Sequence, residues 1–212
     1  MFERFTKDAR DVVRGAVEHC EGVGMRTVGT EHLLLALLDR KGSRGSFALA
    51  ALRLADRKDS VRAALEETRR RAGLSRAETD ALAGLGIDVT EIVARVEEVH
   101  GVGAMSPDTV PTGADAEPGG PGAGSGGARD TGRWTGRPGF GRDAKRILEQ
   151  SLRMALAHRD RRIGDEHILL ALTTHPGPAA EALADHGVTH TALIRVLYGG
   201  GAGEGAGTAK AG

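Results

Sequence analysis

Apolar residues recur at helical spacing in two segments that lie 135 residues apart. Between residues 9 and 20, Ala, Val, Val, Ala, Val and Cys follow one another at steps of three, one, three, one and three. Between residues 144 and 155, Ala, Ile, Leu, Ser, Leu and Ala follow at the same steps. This spacing places side chains on one face of a helix, so each segment predicts a helix with a single buried stripe.

The two segments belong to a longer internal repeat. Residues 5–37 align without a gap on residues 140–172, with 11 identities in 33 positions, and both copies end in the pattern G-[TD]-E-H-[LI]-L-L-A-L. A second match aligns residues 81–96 on 182–197, where a glycine in each copy predicts a left-handed helix end. The sequence therefore predicts an all-α protein made of two pseudo-twofold helical-bundle repeats.

The segments that lie between the matched blocks predict how the chain divides into repeats, linker and tail. The first copy holds extra residues that also read as helix, over 46–54 and 59–71 and from a capping box at 75–78. Five of the seven prolines and ten glycines lie in 106–139, and such a composition does not form a core. We predict a first repeat with a helical insertion, a flexible linker, a second repeat and a disordered tail, at residues 1–102 (insertion 41–78), 103–138, 139–198 and 199–212.

Composition narrows the class of protein. Lysine and arginine together number 29 and are balanced by 29 acidic residues, so no overall field favours nucleic acid or an anionic membrane. The basic run over 68–76 is interpreted as a solvated helix surface. Cys20 is the only cysteine, and its place in the apolar stripe predicts a small core residue. No apolar segment reaches the roughly 20 residues that a membrane helix needs. These features predict a soluble, cytoplasmic monomer.

The motifs of the common catalytic classes are absent from the sequence. It has no G-x-x-x-x-G-K-[ST] phosphate loop, no cysteine pair or H-E-x-x-H for zinc, and no G-x-S-x-G. We therefore predict a protein without enzymatic activity, without a catalytic residue, without a cofactor and without a metal site.

The repeated helix start has a structural and a functional interpretation. Thr30 and Asp165 are good N-cap residues, and Glu31 and Glu166 would then occupy the first helical position, where a carboxylate favours the helix dipole. A histidine one residue on, beside the leucine face, is more often a hydrogen-bonded packing residue than a ligand. The glutamates are equally compatible with helix stabilisation and with binding.

The opening "MFERFTKDAR" and the repeated G-[TD]-E-H-[LI]-L-L-A-L pattern resemble the amino-terminal double-repeat domain of Clp ATPases, in particular the ClpC branch. The resemblance covers residues 1–40, 79–102 and 138–198. It implies a domain that receives substrates and adaptors for an unfoldase, which feeds a barrel-shaped protease. The ATPase modules of such proteins are not in this sequence, which therefore resembles a stand-alone form of the domain.

The resemblance implies one site for phosphorylated arginine side chains. In ClpC relatives the glutamate of each helix start helps to hold them, and the matching residues here are Glu31 and Glu166, with Thr6 on the phosphate side of the first site. The second site departs from the family pattern, because Gly141 replaces a threonine and Asp165 adds a negative charge. Phosphoarginine binding is thus expected at the first repeat more than at the second.

The resemblance also implies a groove between the repeats that binds cyclic peptide antibiotics. The matching residues are Phe2, Arg10, Phe140 and Lys145, although both phenylalanines fit a core and both basic residues fit a surface. We predict a binding protein of the Clp proteolysis system that captures ClpC-directed cyclic peptides or ClpC substrates of the phosphoarginine type, as a decoy or adaptor. The alternative is a regulator that docks directly on the ClpC hexamer without a small ligand. ClpC and the Clp protease are the other expected partners.

Overall fold

The structure is a computed structural model that describes residues 2–71, 74, 76–101, 105 and 137–199. Most of the predicted linker and nearly all of the predicted tail lie outside these residues. The described residues form ten α-helices, two two-residue strands and two 3₁₀ turns, and the prediction of an all-α fold is confirmed. The helices are α1 Lys7–Gly22, α2 Thr30–Asp39, α3 Arg44–Ala51, α4 Lys58–Arg70, α5 Arg76–Gly84, α6 Val89–His100, α7 Arg142–Ala157, α8 Asp165–Thr174, α9 Pro178–Asp185 and α10 His190–Tyr198. The strands are β1 Thr27–Val28 and β2 Gly139–Phe140, and the turns span Phe2–Arg4 and Ala55–Arg57.

The predicted stripes of α1 and α7 form the centre of the core. Ala9, Val12, Ala16 and Cys20 on α1 are fully buried, and Ala144, Ile147, Ser151 and Ala155 are buried on α7. Burial raises the pKa of the Cys20 thiol to about 11, as expected for a small residue of an apolar interior. None of the helices in the described residues is long and apolar enough to cross a membrane.

The two units pair with each other through short parallel backbone bridges at two equivalent places. Strands β1 and β2 run parallel, with Val28 opposite Phe140, and an isolated bridge pairs Phe5 with Ile163. Phe5 and Phe140 are equivalent in the repeat alignment, and so are Val28 and Ile163. Each unit therefore offers its leading phenylalanine to the other, which is the pattern that a pseudo-twofold axis produces.

The helix contacts favour a different division of the first unit from the one the sequence suggests. Helix α3 packs on α8 as α9 packs on α2, and α4 packs on α9 as α10 packs on α3. Helices α1–α4 thus correspond to α7–α10, and residues 41–78 supply the second half of the first unit rather than an insertion. Helices α5 and α6 are the additional pair, with α6 packed on α4.

The sequence match of 81–96 with 182–197 has a local origin. Both segments contain a helix that ends at a glycine with positive φ, Gly86 at 80° and Gly187 at 76°. Such glycines are common helix ends and carry no information on which helices pair. The buried residues are the better guide, since Gly45, Ala48 and Leu49 on α3 have the spacing of Ala179, Ala182 and Leu183 on α9.

The basic run over 68–76 is only partly the solvated surface that its charges suggest. Arg69 donates to both carboxylate oxygens of Glu97, at 2.6 and 2.8 Å. Arg71 is buried, donates to the Thr68 hydroxyl at 3.1 Å and lies 3.9 Å from the Glu181 carboxylate. Both arginines connect α4 to other helices of the protein.

Candidate functional site

The repeated glycine and histidine make the same hydrogen bond in both units. The Gly29 N–H donates to His32 Nδ1 at 2.9 Å, and the Gly164 N–H donates to His167 Nδ1 at 2.9 Å. Both rings turn back onto the first turn of their helix and are buried. The interpretation of the histidines as packing residues is confirmed, and each ring makes the bond from the third helical residue back to the N-cap N–H that forms one half of a capping box.

The N-cap positions differ from the sequence prediction by one residue. The caps are Gly29 and Gly164, whereas Thr30 and Asp165 are the first residues of their helices. The ring of the third helical residue accepts the N–H of the glycine, which is the bond that marks the glycine as the N-cap of each helix. Glu31 and Glu166 consequently occupy the second helical position.

The glycines are required by the glutamates. A Cβ atom at Gly29 would overlap the carboxylate oxygens of Glu31, and one at Gly164 would overlap those of Glu166. Each carboxylate therefore folds back over the helix start, where the partial positive charge of the N-terminus favours it. The order Gly-x-Glu-His therefore forms the same local arrangement in both units. The glycine leaves space, the glutamate places its carboxylate there, and the histidine accepts the glycine N–H.

In the second unit the carboxylate of Glu166 is buried and already pairs with an arginine. The side chain of Glu166 is 6% exposed, and Arg44 Nη1 donates to its Oε1 at 2.9 Å. The Arg44 guanidinium also lies over the Tyr198 ring, 5.4 Å from its centroid. Tyr198 in turn stacks on His158, with 3.9 Å between the ring centroids. An arginine of the first unit is thereby held between a carboxylate and an aromatic plane of the second.

Asp160 completes this cluster. Its Oδ2 accepts from His167 Nε2 at 3.0 Å and from the Tyr198 hydroxyl at 3.2 Å, and it lies 3.8 Å from Arg44 Nη1. Burial raises the pKa of Tyr198 to about 12, so the hydroxyl stays protonated and donates. Burial also lowers the pKa of His167, which keeps its ring neutral.

Asp160, Glu166 and His167 are close enough to suggest a metal site, since their ligand atoms lie within 4.8 Å of one another. The hydrogen bonds argue otherwise. His167 accepts at Nδ1 and so carries its proton on Nε2, the nitrogen that faces Asp160, which leaves no lone pair there for a metal ion. The cluster suits a guanidinium, which donates to carboxylates and needs no lone pair.

Burial raises the pKa of Glu166 to about 7, against the lowering effects of a backbone hydrogen bond and of Arg44. The neighbouring Asp165 raises it further. Asp165 is itself buried and accepts a hydrogen bond from the Ser43 hydroxyl. Two adjacent carboxylates at the start of α8 thus face the start of α3, where Ser43 and Arg44 meet them.

In the first unit the carboxylate is open. The Glu31 side chain is 23% exposed, and no ion pair to an arginine or lysine is found for it among the described residues. Its oxygen lies 3.2 Å from His32 Nδ1, which already accepts the Gly29 N–H. The residue of α9 that corresponds to Arg44 is Pro178, which carries no charge. Met25 stands where the second unit has Asp160.

A groove of about 240 Å³ opens beside Glu31. Its lining combines an apolar floor with charged groups of both signs: Val23, Met25, Leu35 and Leu65, with His19, Glu31, His32, Arg62, Glu66 and Arg69. Three of the basic groups are already near carboxylates, since His19 Nε2 lies 2.8 Å from Asp39, Arg62 lies 3.7 Å from Asp39, and Arg69 pairs with Glu97. The groove thus offers the carboxylate of Glu31, while Arg62 and Arg69 share their charge with Asp39 and Glu97.

The other residues predicted from the family resemblance lie along the seam between the units. Thr6 caps α1, accepting from the Ala9 N–H at 3.2 Å, and its own N–H donates to the Ile163 carbonyl. It does not line the groove beside Glu31. Gly141 caps α7 without a side-chain bond.

The four residues of the predicted peptide groove are placed in part. Phe140 is partly buried and packs against the core beside β1, while Arg10 and Lys145 are exposed on α1 and α7. Phe2 begins the first 3₁₀ turn, and its side chain lies outside the described part of the structure. The structure places Phe140 at the seam and leaves the peptide groove a prediction.

Arg44, Asp160 and Tyr198 are the residues that sequence reasoning missed. Arg44 and Glu166 are separated by 122 residues, and no local pattern in either segment signals their contact. The shared spacing of buried residues on α3 and α9 is a sequence feature that could have paired these helices and pointed to Arg44.

Comparison with known proteins bears on this second unit. Residues 139–200 match the family model of the Clp repeat (R) N-terminal domain. The second unit is similar to a Clp repeat. The match spans β2 and α7–α10, the helices that pack as one unit. The resemblance to Clp domains is confirmed there, and the ClpC branch stays a prediction.

Among solved structures, the chain is similar to the N-terminal domain of the caseinolytic protease associated chaperone ClpD from Arabidopsis thaliana, at 18% identity and a TM-score of 0.45. That match covers 93% of this chain and 94% of the other.

Proposed function

We propose that this chain is a binding protein of the Clp proteolysis system, without enzymatic activity, whose first unit receives arginine-bearing clients in the groove beside Glu31. The clients are of the phosphoarginine type, and the chain acts on them as a decoy or adaptor for a ClpC-like unfoldase. The observation that carries this proposal is the contrast between an open carboxylate at Glu31 and an occupied one at Glu166.

The composition of the groove fits a side chain with both charges. A guanidinium pairs with a carboxylate through directed hydrogen bonds, and Glu31 offers such a carboxylate at the groove. A phosphate on the same side chain needs nearby donors, and Arg62 and Arg69 line the same groove. The apolar residues between them can pack against the aliphatic stem of an arginine.

The ring of His32 is not available as a general base at the groove. His32 is the histidine nearest to Glu31, and its Nδ1 already accepts the Gly29 N–H. A general base needs a lone pair within reach of its substrate, and this ring has none on that side. We therefore propose that His32 takes part in no proton transfer at the groove.

Calorimetric titration with N-acetyl-phosphoarginine amide tests the proposal. Removing one charge-assisted hydrogen bond costs about 1.5–3 kcal/mol, so Glu31→Gln is expected to weaken binding by roughly tenfold or more. Glu166→Gln is the matched control at the equivalent position and is expected to bind like the parent. Equal losses in both variants, or no binding to the parent, would refute the assignment of the groove.

A second candidate function is capture of cyclic peptides at the seam. It is favoured by Phe140, which is only partly buried where the two units meet, close to the start of α7. We expect Phe140→Ala and Phe2→Ala each to weaken binding of a ClpC-directed cyclic peptide at least roughly tenfold, since truncating an aromatic anchor costs about 2 kcal/mol. The circular dichroism spectrum should stay helical. If both variants fold and bind as the parent does, docking on the ClpC hexamer replaces peptide capture.

A further inference from the structure

We propose that Glu166, Asp160 and Tyr198 form a guanidinium-binding site that the chain fills with its own Arg44, which closes the second unit to arginine side chains from outside. The occupied site is a property of the chain alone. Its consequence for clients rests on the proposed function.

The cluster has the composition of a guanidinium site. Arg44 Nη1 lies 2.9 Å from Glu166 Oε1 and 3.8 Å from Asp160 Oδ2, so one nitrogen faces two carboxylates. The Tyr198 ring lies beneath the guanidinium at 5.4 Å, a distance at which a cation is attracted to an aromatic face. Carboxylate and aromatic plane together match the flat, delocalised cation of arginine better than the compact ammonium of lysine.

Burial makes the pairing necessary. A carboxylate with only 6% of its side chain exposed is costly to ionise without a partner, and Arg44 is the basic residue that supplies one in the described structure. Arg44 itself is 50% exposed, so the side chain lies over the site like a cover and has a route into solvent. A competing guanidinium can thus reach the site only if Arg44 leaves.

The start of α3 is held independently of Arg44. Ser43 caps the helix by accepting from the Ser46 N–H at 3.2 Å, and its hydroxyl donates to the buried Asp165. Removing the Arg44 side chain therefore leaves the hydrogen bond between Ser43 on the α3 side and Asp165 on α8 in place. The first unit shows the alternative, because Pro178 stands in the position of Arg44 and the carboxylate of Glu31 is open.

The test is chemical rescue of Arg44→Ala in the otherwise complete chain. Methylguanidinium chloride is added at non-denaturing concentration, and amide chemical shifts are followed by NMR. We expect saturable shifts at Glu166 and Tyr198 in Arg44→Ala and none there in the parent. Methylammonium should not reproduce them, and Arg14→Ala, which removes an exposed arginine paired with Asp11, should behave as the parent does. In the double variant Arg44→Ala, Glu166→Gln the affinity should fall at least about tenfold.

The inference is overturned if Arg44→Ala shows no shifts specific to methylguanidinium, or if the parent shows the same shifts. Should Arg44→Ala fail to fold, the parent protein decides: slow rotation about the Cζ–Nε bond of Arg44 supports the inference, and free rotation refutes it. The proposed function fails separately. If phosphoarginine does not bind the parent at Glu31, the assignment of the groove as a client site is refuted. The methylguanidinium experiment on Arg44→Ala tests the site at Glu166 independently of that result.

Discussion

A glycine, a glutamate and a histidine form the same arrangement at the starts of α2 and α8. Glycine leaves room for the carboxylate and donates its N–H to the histidine, and the glutamate folds back over the helix terminus. The sequence predicted the helix and the structural value of the glutamate, because both follow from local chemistry. It did not predict that one of the two glutamates is open and the other occupied, since the difference depends on Arg44, which lies far away in the sequence.

At this scale we expect Gly164→Ala to destabilise the protein more than Gly29→Ala. The added methyl group overlaps the carboxylate of the following glutamate in both cases. Glu166 is buried under Arg44 and cannot move aside, whereas Glu31 is partly exposed and can swing into the groove. Overpacking of this kind costs about 1–3 kcal/mol, and urea unfolding of the two variants measures it. Equal costs would mean that Glu166 is as free as Glu31.

The raised pKa of Glu166 predicts a pH dependence of stability. Its pKa moves from 4.5 to about 7 on folding, so its contribution is fully present below pH 4.5 and is lost as pH rises to about 7. The free energy of unfolding of the parent should therefore fall relative to that of Glu166→Gln across this range. Denaturant unfolding at several pH values measures the difference, and a difference that is constant or rises with pH would contradict the burial of the ionised group.

Among the helices, α3 makes the contact that most affects the site. Its first turn presents Ser43 to Asp165 and Arg44 to Glu166, so the start of one helix meets the start of another across the two units. Helix α3 is evident in the sequence, but its partner is not. The match of 81–96 with 182–197 extends over more positions than the shared spacing of three buried residues on α3 and α9, and it led to a different pairing of helices from the one that the contacts show.

We expect Ser43→Ala to be costly, because Ser43 is buried and makes two hydrogen bonds at the start of α3. It removes the cap of α3 and the hydroxyl that donates to Asp165, which then lies buried without that donor. Loss of a cap costs about 1 kcal/mol and an unsatisfied buried acceptor about 1–3 kcal/mol. Thermal unfolding checks the sum, with Thr189→Ala, an exposed cap on α10, as the control that loses only the first contribution. Similar losses in the two variants would show that Asp165 finds another partner.

Across the whole molecule, the pseudo-twofold symmetry of the backbone is broken by side chains. The crossed pairs Val28–Phe140 and Phe5–Ile163 keep the symmetry, while Arg44 and Pro178 break it. The repeat made the duplicated architecture predictable from residues 5–37 and 140–172. Weaker phosphoarginine binding at the second unit stays a prediction from Gly141 and Asp165, and the structure adds Arg44, which pairs with Glu166 there.

The composition of residues 106–139 predicts that limited proteolysis cuts the chain there. Cleavage should stop short of Gly139, which is paired with Thr27 in the described structure. The two fragments should stay together, because α1 packs on α8 and α2 on α7 across the units. Gel filtration of the nicked protein is expected to give a single peak of unchanged size, and separation of the fragments would contradict the contacts between the units.

The most direct test of the account follows backbone amides by NMR while phosphoarginine is titrated into the unaltered protein. Gly29 and Glu31 report on the open carboxylate, and Gly164 and Glu166 report on the occupied one. The account predicts saturable shifts at the first pair and none above baseline at the second. Shifts of equal size at both pairs, or at the second pair alone, would contradict the central claim that Arg44 closes the second unit while the first unit, with Pro178 in the equivalent position, stays open.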